Sequence, residues 1–275
     1  MTTLQEHLIQ TLGAKPSIDP AQEIQDRVNF LKEFTLKAGT KGFVLGISGG
    51  QDSALAGKLA QMAVDQLRNE TGDPTYQFTA LLLPYGVQKD GADAVTIAED
   101  FIKADKVITF NIKPTVDAFT ETFNIVNDED LLDYHKGNAK ARVRMTTQYA
   151  YAGQGRRLVI GTDHLGEIGG FWTKFGDGAA DILPLSGLNK RQGKELLRLL
   201  KAPEFVITKA PTADLLDAKP QQPDETELGI TYNQIDDYFE GKKVDEDVAV
   251  KYETFFLKNE HKRQAPVTIA DTWWK

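Results

Sequence analysis

One short corner limits this chain more than any other feature: Ser48-Gly49-Gly50-Gln51-Asp52-Ser53 joins two stretches of different periodicity. Gly42 to Ile47 is short, apolar and rich in strand formers, whereas Leu55, Leu59, Met62, Ala63 and Leu67 recur at helical spacing over Ala54 to Leu67. A buried strand therefore runs into a helix through a polar, glycine-rich turn. Paired glycines let backbone amides approach a bound group, and the first helical turn offers unpaired N–H groups and a positive dipole end, so the corner favours an anion such as phosphate. Ser48 and Ser53 can add hydroxyl donors. Asp52 beside a phosphate calls for a cation between them, and Mg²⁺ is the expected one.

Two common phosphate loops are excluded by spacing. Around Gly57-Lys58 a Walker A loop would need glycine at Asp52 and a hydroxyl at Leu59, and no G-x-G-x-x-G follows an expected strand. A plain turn would need only one glycine and a cap. The pattern S-G-G-x-D-S instead resembles the loop of the ATP pyrophosphatase group, which splits ATP into AMP and pyrophosphate to activate a carboxyl or carbonyl oxygen.

Around this corner the chain alternates. Asp19 caps an expected helix with Pro20 at its first position and Gln22 closing a capping box; Ile24, Val28, Leu31 and Thr35 form its stripe, with Phe30 and Phe34 beside them, until Gly39. It lies on the sheet or on a partner subunit. Strands are expected at Tyr76–Leu83, Val107–Ile112 and Leu158–Ile160. Between them come helices over Val87–Ala104 (Ala94, Val95, Ala98, Phe101 and Ile102 inward), from Pro114 (with Val116, Phe119 and Phe123), and over Ala139–Ala152 after a break at Gly137-Asn138. Continuous apolar strands separated by helices indicate an α/β fold, a parallel sheet with helices on both faces. Ligands bind such sheets at the carboxyl ends of the strands, after Ile47, Leu83, Ile112 and Ile160. The polar, glycine-rich run from Gly161 to Gly178 reads as a site loop. Past Pro184 the alternation gives way to helices at Lys190–Lys201, Ile230–Glu240 and Val248–Asn259, a C-terminal helical segment. The 208–226 stretch is a long loop, a mobile lid or a solvated linker. We divide a single 1–275 domain into a helical segment (1–40), a nucleotide-binding core (41–185) and a helical appendage (186–275).

Composition narrows the chemistry. A net charge of −8 argues against general nucleic-acid or membrane-surface binding, and an acidic polyphosphate binder must gather its cations locally. The absence of cysteine removes disulfides, thiolate metal sites and Cys nucleophiles. Met1 to Leu12 lacks a basic segment followed by an apolar core, and no long apolar run follows, so the expected compartment is the cytoplasm. No second histidine stands at a zinc-ligand spacing from His261. Trp273-Trp274 fit either core or interface anchors.

Taken with the glycine-rich corner, the strings Leu83-Pro84-Tyr85-Gly86-Val87, Lys136-Gly137-Asn138-Ala139-Lys140-Ala141-Arg142, Gly161-Thr162-Asp163-His164, Lys174-Phe175-Gly176-Asp177-Gly178, Leu188-Asn189-Lys190-Arg191-Gln192-Gly193 and Glu260-His261-Lys262-Arg263 resemble, in order and over nearly the whole chain, ammonia-dependent NAD synthetase. The resemblance implies a Rossmann-like fold of the ATP pyrophosphatase type and a two-step ligase reaction. The nicotinate carboxylate of deamido-NAD attacks the α-phosphorus of ATP to give an acyl adenylate and pyrophosphate; ammonia then displaces AMP and leaves NAD, the last step of NAD biosynthesis. It also implies roles. Gly46, Ile47, Ser48, Gly49, Gly50, Gln51, Asp52, Ser53, Thr162, Lys190 and Thr212 would bind ATP, Asp52 and Glu167 would share Mg²⁺, and Arg142, Lys174, Asp181, His261 and Lys262 would bind deamido-NAD across a homodimer interface. Asp52, Lys190 and Lys174 are the catalytic candidates.

One departure concerns Glu167: the Glu167-Ile168-Gly169-Gly170-Phe171 segment is shorter than the family's usual pattern, which alters the spacing to Lys174. Glutamine-using relatives carry a further domain with a catalytic cysteine, so free ammonia is the expected nitrogen donor. Two other readings use the same corner: another ATP pyrophosphatase-type synthetase with a different acceptor, or an ATP-binding sensor without turnover.

Overall fold

The computed structural model describes residues 3–88, 90–176, 178–212, 215–219 and 222–275. The first strand lies where the apolar run precedes the corner, β1 (Gly42–Gly46), and it is flanked on both sides. With β2 (Gln77–Leu82), β3 (Lys106–Thr109) and β4 (Leu158–Val159) it forms a sheet of order β3-β2-β1-β4. Every pairing is parallel, with Phe43 opposite Phe78 and Leu158, and Val44 opposite Thr79 and Val159. An isolated parallel bridge between Ile160 and Ile182 prolongs the β4 edge.

Alternation along the strands divides the core. Phe43, Leu45, Phe78, Ala80, Leu82 and Leu158 face one helical layer, built from α2 (Pro20–Ala38), α3 (Gln51–Thr71) and, later in the chain, α7 (Lys190–Leu199). Val44, Leu81, Leu83 and Val159 face the other, built from α5 (Lys113–Asn127) and α6 (Asp133–Gly155). The short helix α4 (Gly91–Thr96) sits on the first face. A third apolar cluster joins α1 (Thr3–Thr11), through Leu8, to α9 (Asp224–Leu228), α10 (Tyr232–Phe239) and α11 (Glu246–Lys258). Two further short helices are α8 (Glu204–Thr208) and α12 (Glu260–Arg263). No helix of the described residues is long and apolar enough to cross a membrane.

Local details differ from the sequence reading for physical reasons. Asp19 caps α2 by accepting from Ala21 N and Gln22 N, but the Gln22 amide donates to Asp26 at 2.8 Å, so the box is half made. Ile24, Val28, Leu31 and Thr35 are buried as expected, and α2 packs against α3 and α7 of the same layer; Phe30 and Phe34 remain exposed. The expected helix over Val87–Ala104 starts only at Gly91, because Val87 sits in an exposed turn after Gly86, and over Ile97–Ile102 it widens into a π-helix. Lys89 lies outside the described residues. Ala94, Ala98, Phe101 and Ile102 point inward, while Val95 lines a cavity and is 38% exposed. β3 is shorter than expected, and of Val116, Phe119 and Phe123 only Val116 is buried. Gly137 does not break a helix: α6 begins at Asp133, and a Cβ at Gly137 would lie 3.2 Å from the Leu215 carbonyl oxygen. The glycine is there to let the 215 segment cross the helix.

The layers predict a stability contrast. Phe43, fully buried between β2 and β4, should cost about 3–5 kcal/mol when replaced by alanine. Val87→Ser, at a fully exposed turn, should change urea-unfolding stability by less than about 0.5 kcal/mol.

Candidate active site

Where β1 becomes α3, the backbone folds into a cup. Gly49 takes a left-handed conformation (φ 83°) and Gly50 caps α3 without a side chain, so neither residue places a side chain before the helix N-terminus. The cup is tied internally: Ser48 N donates to Ser53 Oγ at 3.2 Å, Gly50 N to Ser48 Oγ at 3.3 Å, and the two hydroxyls are 3.2 Å apart. From across the sheet, Gln148 on α6 accepts from Gly46 N at 2.8 Å, and Arg144 donates to Leu83 O at 3.1 Å. These contacts bound a cavity of about 380 Å³ at the carboxyl ends of β1 and β2. Gly46, Ile47, Ser48, Gly50, Gln51, Asp52 and Ser53 line it with Thr162, Glu167, Lys190 and Thr212; Gly49 lies in the same turn.

The charged groups meet at one wall. Asn189 caps α7 with a full capping box and Asp236 accepts from Lys190 N and Arg191 N at 3.1 and 2.9 Å, which sets Lys190 at the start of its helix. Its ammonium reaches Asp52 Oδ2 at 2.5 Å, and Gln51 Nε2 donates to Lys190 O at 3.0 Å. Burial opposes both charges, but each group holds the other charged: Asp52 lies below the usual carboxylate range and Lys190 above the usual ammonium value. Glu167 pairs with no cation in direct contact among the described residues, and burial followed by the neighbouring Asp52 charge, against the pull of Lys190, pushes it well above the usual carboxylate range. His164, 3% exposed, is pushed down to about 3 by burial and then by Lys190, and is therefore neutral. Its Nε2 stands 3.6 Å from Asp52 Oδ1 and 3.7 Å from Glu167 Oε1. The shortened Glu167–Phe171 segment thus still carries Glu167 into the cavity, beside Asp52.

A cover lies over the mouth. Lys209, Ala210, Pro211, Thr212 and Leu215 line the cavity, and Thr212 bridges to Pro223. The segment is bound to α6, since Lys140 Nζ donates to Leu215 O at 2.8 Å and Lys136 pairs with Asp217 at 2.7 Å, so its described part is not a solvated linker. Ala213, Asp214, Pro220 and Gln221 lie outside the described residues. Lys209 Nζ pairs with Asp90 at 2.8 Å and donates to Gly49 O at 3.3 Å, joining the cover to the cup.

A strand-to-helix anion cup, a facing ion pair and a covering loop are the parts that a nucleotide-splitting ligase would need. A family model described as NAD synthase matches residues 23–266. The chain belongs to the NAD synthase family. It is 58% identical over 274 residues to the NH(3)-dependent NAD(+) synthetase of Bacillus thuringiensis, covering 99% of this chain and 100% of that protein. Among solved structures it is similar to the NAD+ synthetase of Burkholderia pseudomallei (TM-score 0.81, 43% identity, 95% of this chain and 96% of that one). It is also similar to the NMN synthetase of Francisella tularensis (TM-score 0.80, 38% identity, 93% and 100%).

In this NAD synthase-family chain a second basic group lies outside the cavity. Arg142 Nη2 donates to Lys174 O at 3.3 Å, Lys174 Nζ donates to His261 O and Gln264 O, and Lys262 Nζ donates to Gly170 O and Trp172 O at 2.7 and 3.0 Å. The four residues thus meet where the 261–264 tail crosses the 170–174 loop. Asp181 is not among them: it accepts from Val159 N at 2.7 Å and from Tyr149 OH at 3.2 Å, at the β4 edge. Asp177, within the Lys174–Gly178 string, lies outside the described residues. Sequence reasoning gave no role to Gln148, Arg144, Lys209 or His164. The first two reach the site from the middle of a long helix and have no spacing signal; Lys209 stands near the start of the 208–226 loop and His164 ends the Gly161–His164 string, where an uncommitted cation and histidine were the available clues.

The Asp52–Lys190 pair predicts a measurable coupling. Lys190→Met should destabilise the fold by about 3–5 kcal/mol, because Asp52 stays buried without its cation. Adding Asp52→Asn should recover more than about 1 kcal/mol in urea unfolding; additive losses would mean that the pair is not coupled.

Proposed function

We propose that this chain is an ammonia-dependent ligase that converts deamido-NAD to NAD with ATP, the last step of NAD biosynthesis. The observation that carries the reading is the anion cup of Ser48 to Ser53 facing the buried Lys190–Asp52 pair in one covered cavity. In the first step an oxygen of the nicotinate carboxylate forms a bond to the α-phosphorus of ATP, and the α–β bridging oxygen leaves with the electron pair as pyrophosphate. In the second, ammonia adds to the acyl carbon, the nitrogen loses a proton, and the carbon–oxygen bond to AMP breaks. Little covalent work falls to the protein. Its contribution is positioning and charge stabilisation: backbone N–H groups and the Ser48 and Ser53 hydroxyls hold the polyphosphate, and Lys190 opposes the charge that grows on pyrophosphate.

Asp52 and Glu167 fit a divalent cation. Both are carboxylates lining the cavity beside the cup, and hard oxygen donors suit Mg²⁺. Such an ion would neutralise part of the polyphosphate charge. Thr162 and Thr212 are the remaining ATP candidates. We assign Arg142, Lys174, Asp181, His261 and Lys262 to the dinucleotide, and Lys174 keeps its catalytic candidacy through that site. A two-fold homodimer fits the apolar face of α5 and α6, where Phe119, Ile125, Val126, Leu132 and Tyr134 are each more than half exposed. The cytoplasm is the compartment this reading assigns.

The test is an incubation with Mg-ATP, ammonium and one acceptor at a time, deamido-NAD or nicotinate mononucleotide, since one similar structure is of an NMN synthetase. NAD, AMP and pyrophosphate are expected in equal amounts only when all three substrates are present. Preference for the mononucleotide would move the assignment to that acceptor, and ATP binding without turnover would point to a sensor. Asp52→Asn, which keeps an acceptor for Lys190, should stay folded and lose at least about 100-fold in pyrophosphate release. Sedimentation equilibrium is expected to give twice the chain mass; a monomer at assay concentration would remove the shared dinucleotide site.

A further inference from the structure

His164 fills the gap between the two carboxylates, yet its Nε2 is buried with no hydrogen-bond partner among the described residues. Ligand atoms of Asp52, His164 and Glu167 all lie within 4.8 Å of one another, the spacing of a mixed nitrogen and oxygen metal site. The opposite edge of the ring contradicts that use. Gly166 N donates to His164 Nδ1 at 3.0 Å, so Nδ1 presents its lone pair. A ring that accepts at Nδ1 carries its one N–H at Nε2. For Nε2 to ligate a cation, the proton would have to move to Nδ1 and meet the Gly166 N–H head on. The ring has little room to turn away. The Tyr232 ring packs beside it at 6.1 Å, and a Cβ at residue 166 would lie 2.8 Å from both His164 Cε1 and Tyr232 Cε1, so glycine alone lets the amide reach Nδ1.

We propose that His164 is a positioning residue, a fixed Nε2–H donor between Asp52 and Glu167 that aims both carboxylates into the cavity and leaves the cation an all-oxygen site. The inference rests on the proposed metal role of Asp52 and Glu167. Asp52 is held at Oδ2 by Lys190, while its Oδ1 and Glu167 Oε1 face the Nε2–H from 3.6 and 3.7 Å, an electrostatic contact longer than a hydrogen bond. The arrangement also sets metal preference. An imidazole ligand would favour zinc, nickel or copper, whereas carboxylates with phosphate oxygens favour magnesium and manganese.

Long-range ¹H–¹⁵N correlation spectra of the whole protein labelled with ¹⁵N-histidine test this directly, because the two neutral tautomers give different peak patterns. There are 4 histidines, and His164→Gln assigns the one in question. An Nε2–H pattern is expected without metal and after addition of Mg²⁺ or Mg-ATP; an Nδ1–H pattern in either state would overturn the inference. Mn²⁺ binding, followed by electron paramagnetic resonance, gives the second readout. His164→Leu should weaken it about 10–100-fold, the usual cost of losing a group that orients metal ligands, whereas His164→Gln, whose amide N–H can replace Nε2–H, should stay within about threefold of wild type. Equal losses in both folded variants would overturn the donor role. Should His164→Leu fail to fold, the wild-type tautomer still decides. Wild-type protein with the Nε2–H pattern but no Mn²⁺ binding would sustain the donor and refute the metal reading.

Discussion

The ion pair between Asp52 and Lys190 is the constraint on which the site depends. It joins the first turn of α3 to the first turn of α7, residues 138 apart in sequence. The Gln51 amide adds a second link to the Lys190 carbonyl, and Asp236 on α10 holds the N-terminal amides of α7. The pair thus fixes two helices of one layer against each other, while Asp236 and the Arg191 pairs with Asp237 and Glu240 join that layer to the C-terminal cluster. Such a pair in a buried position contributes little net stability against its desolvation cost, and its worth lies in placement. It keeps a cation and an anion at fixed positions next to a cup that has only backbone and hydroxyls.

Around that contact the cavity is assembled from parts that each solve a local problem. Parallel strands leave their carboxyl ends open, and the turn after β1 supplies amides there because Gly49 and Gly50 carry no side chains to fill the space. α6 crosses the sheet and reaches in with Gln148 and Arg144, while its Gly137 admits the covering segment. Lys209 brings that segment back to the cup, where its ammonium pairs with Asp90 and donates to Gly49 O. Polyphosphate bound in the cup would meet the same ammonium.

Much of this was legible from local patterns. The strand, corner and helix from Gly42 to Leu67 were readable because burial on one side and helical spacing on the other are short-range properties. The Asp19-Pro20 start of α2 was readable because capping is decided by neighbours. The parallel sheet followed from apolar runs too continuous for one-sided strands. What was not readable depended on contacts distant in sequence. Gly137 looked like a helix break because Leu215, 78 positions later, is what requires it. The π-helix at Ile97–Ile102 has no compositional mark, and Val95 looked like core because a cavity wall and a core share apolar residues. Glu167 could be named but not placed, since its position turns on how the shortened segment folds. The tautomer of His164 could not be read at all without Gly166 folded onto the ring.

The central claim is that a carboxylate oxygen attacks the α-phosphorus of a nucleotide held in this cup. The most direct measurement transfers an isotope: deamido-NAD labelled with ¹⁸O in its nicotinate carboxylate, turned over with Mg-ATP and ammonium, followed by mass spectrometry of the products. The account predicts one labelled oxygen in AMP and none in pyrophosphate. Label in pyrophosphate or orthophosphate, or AMP without label, would mean that the acceptor is activated at another phosphorus or by another route.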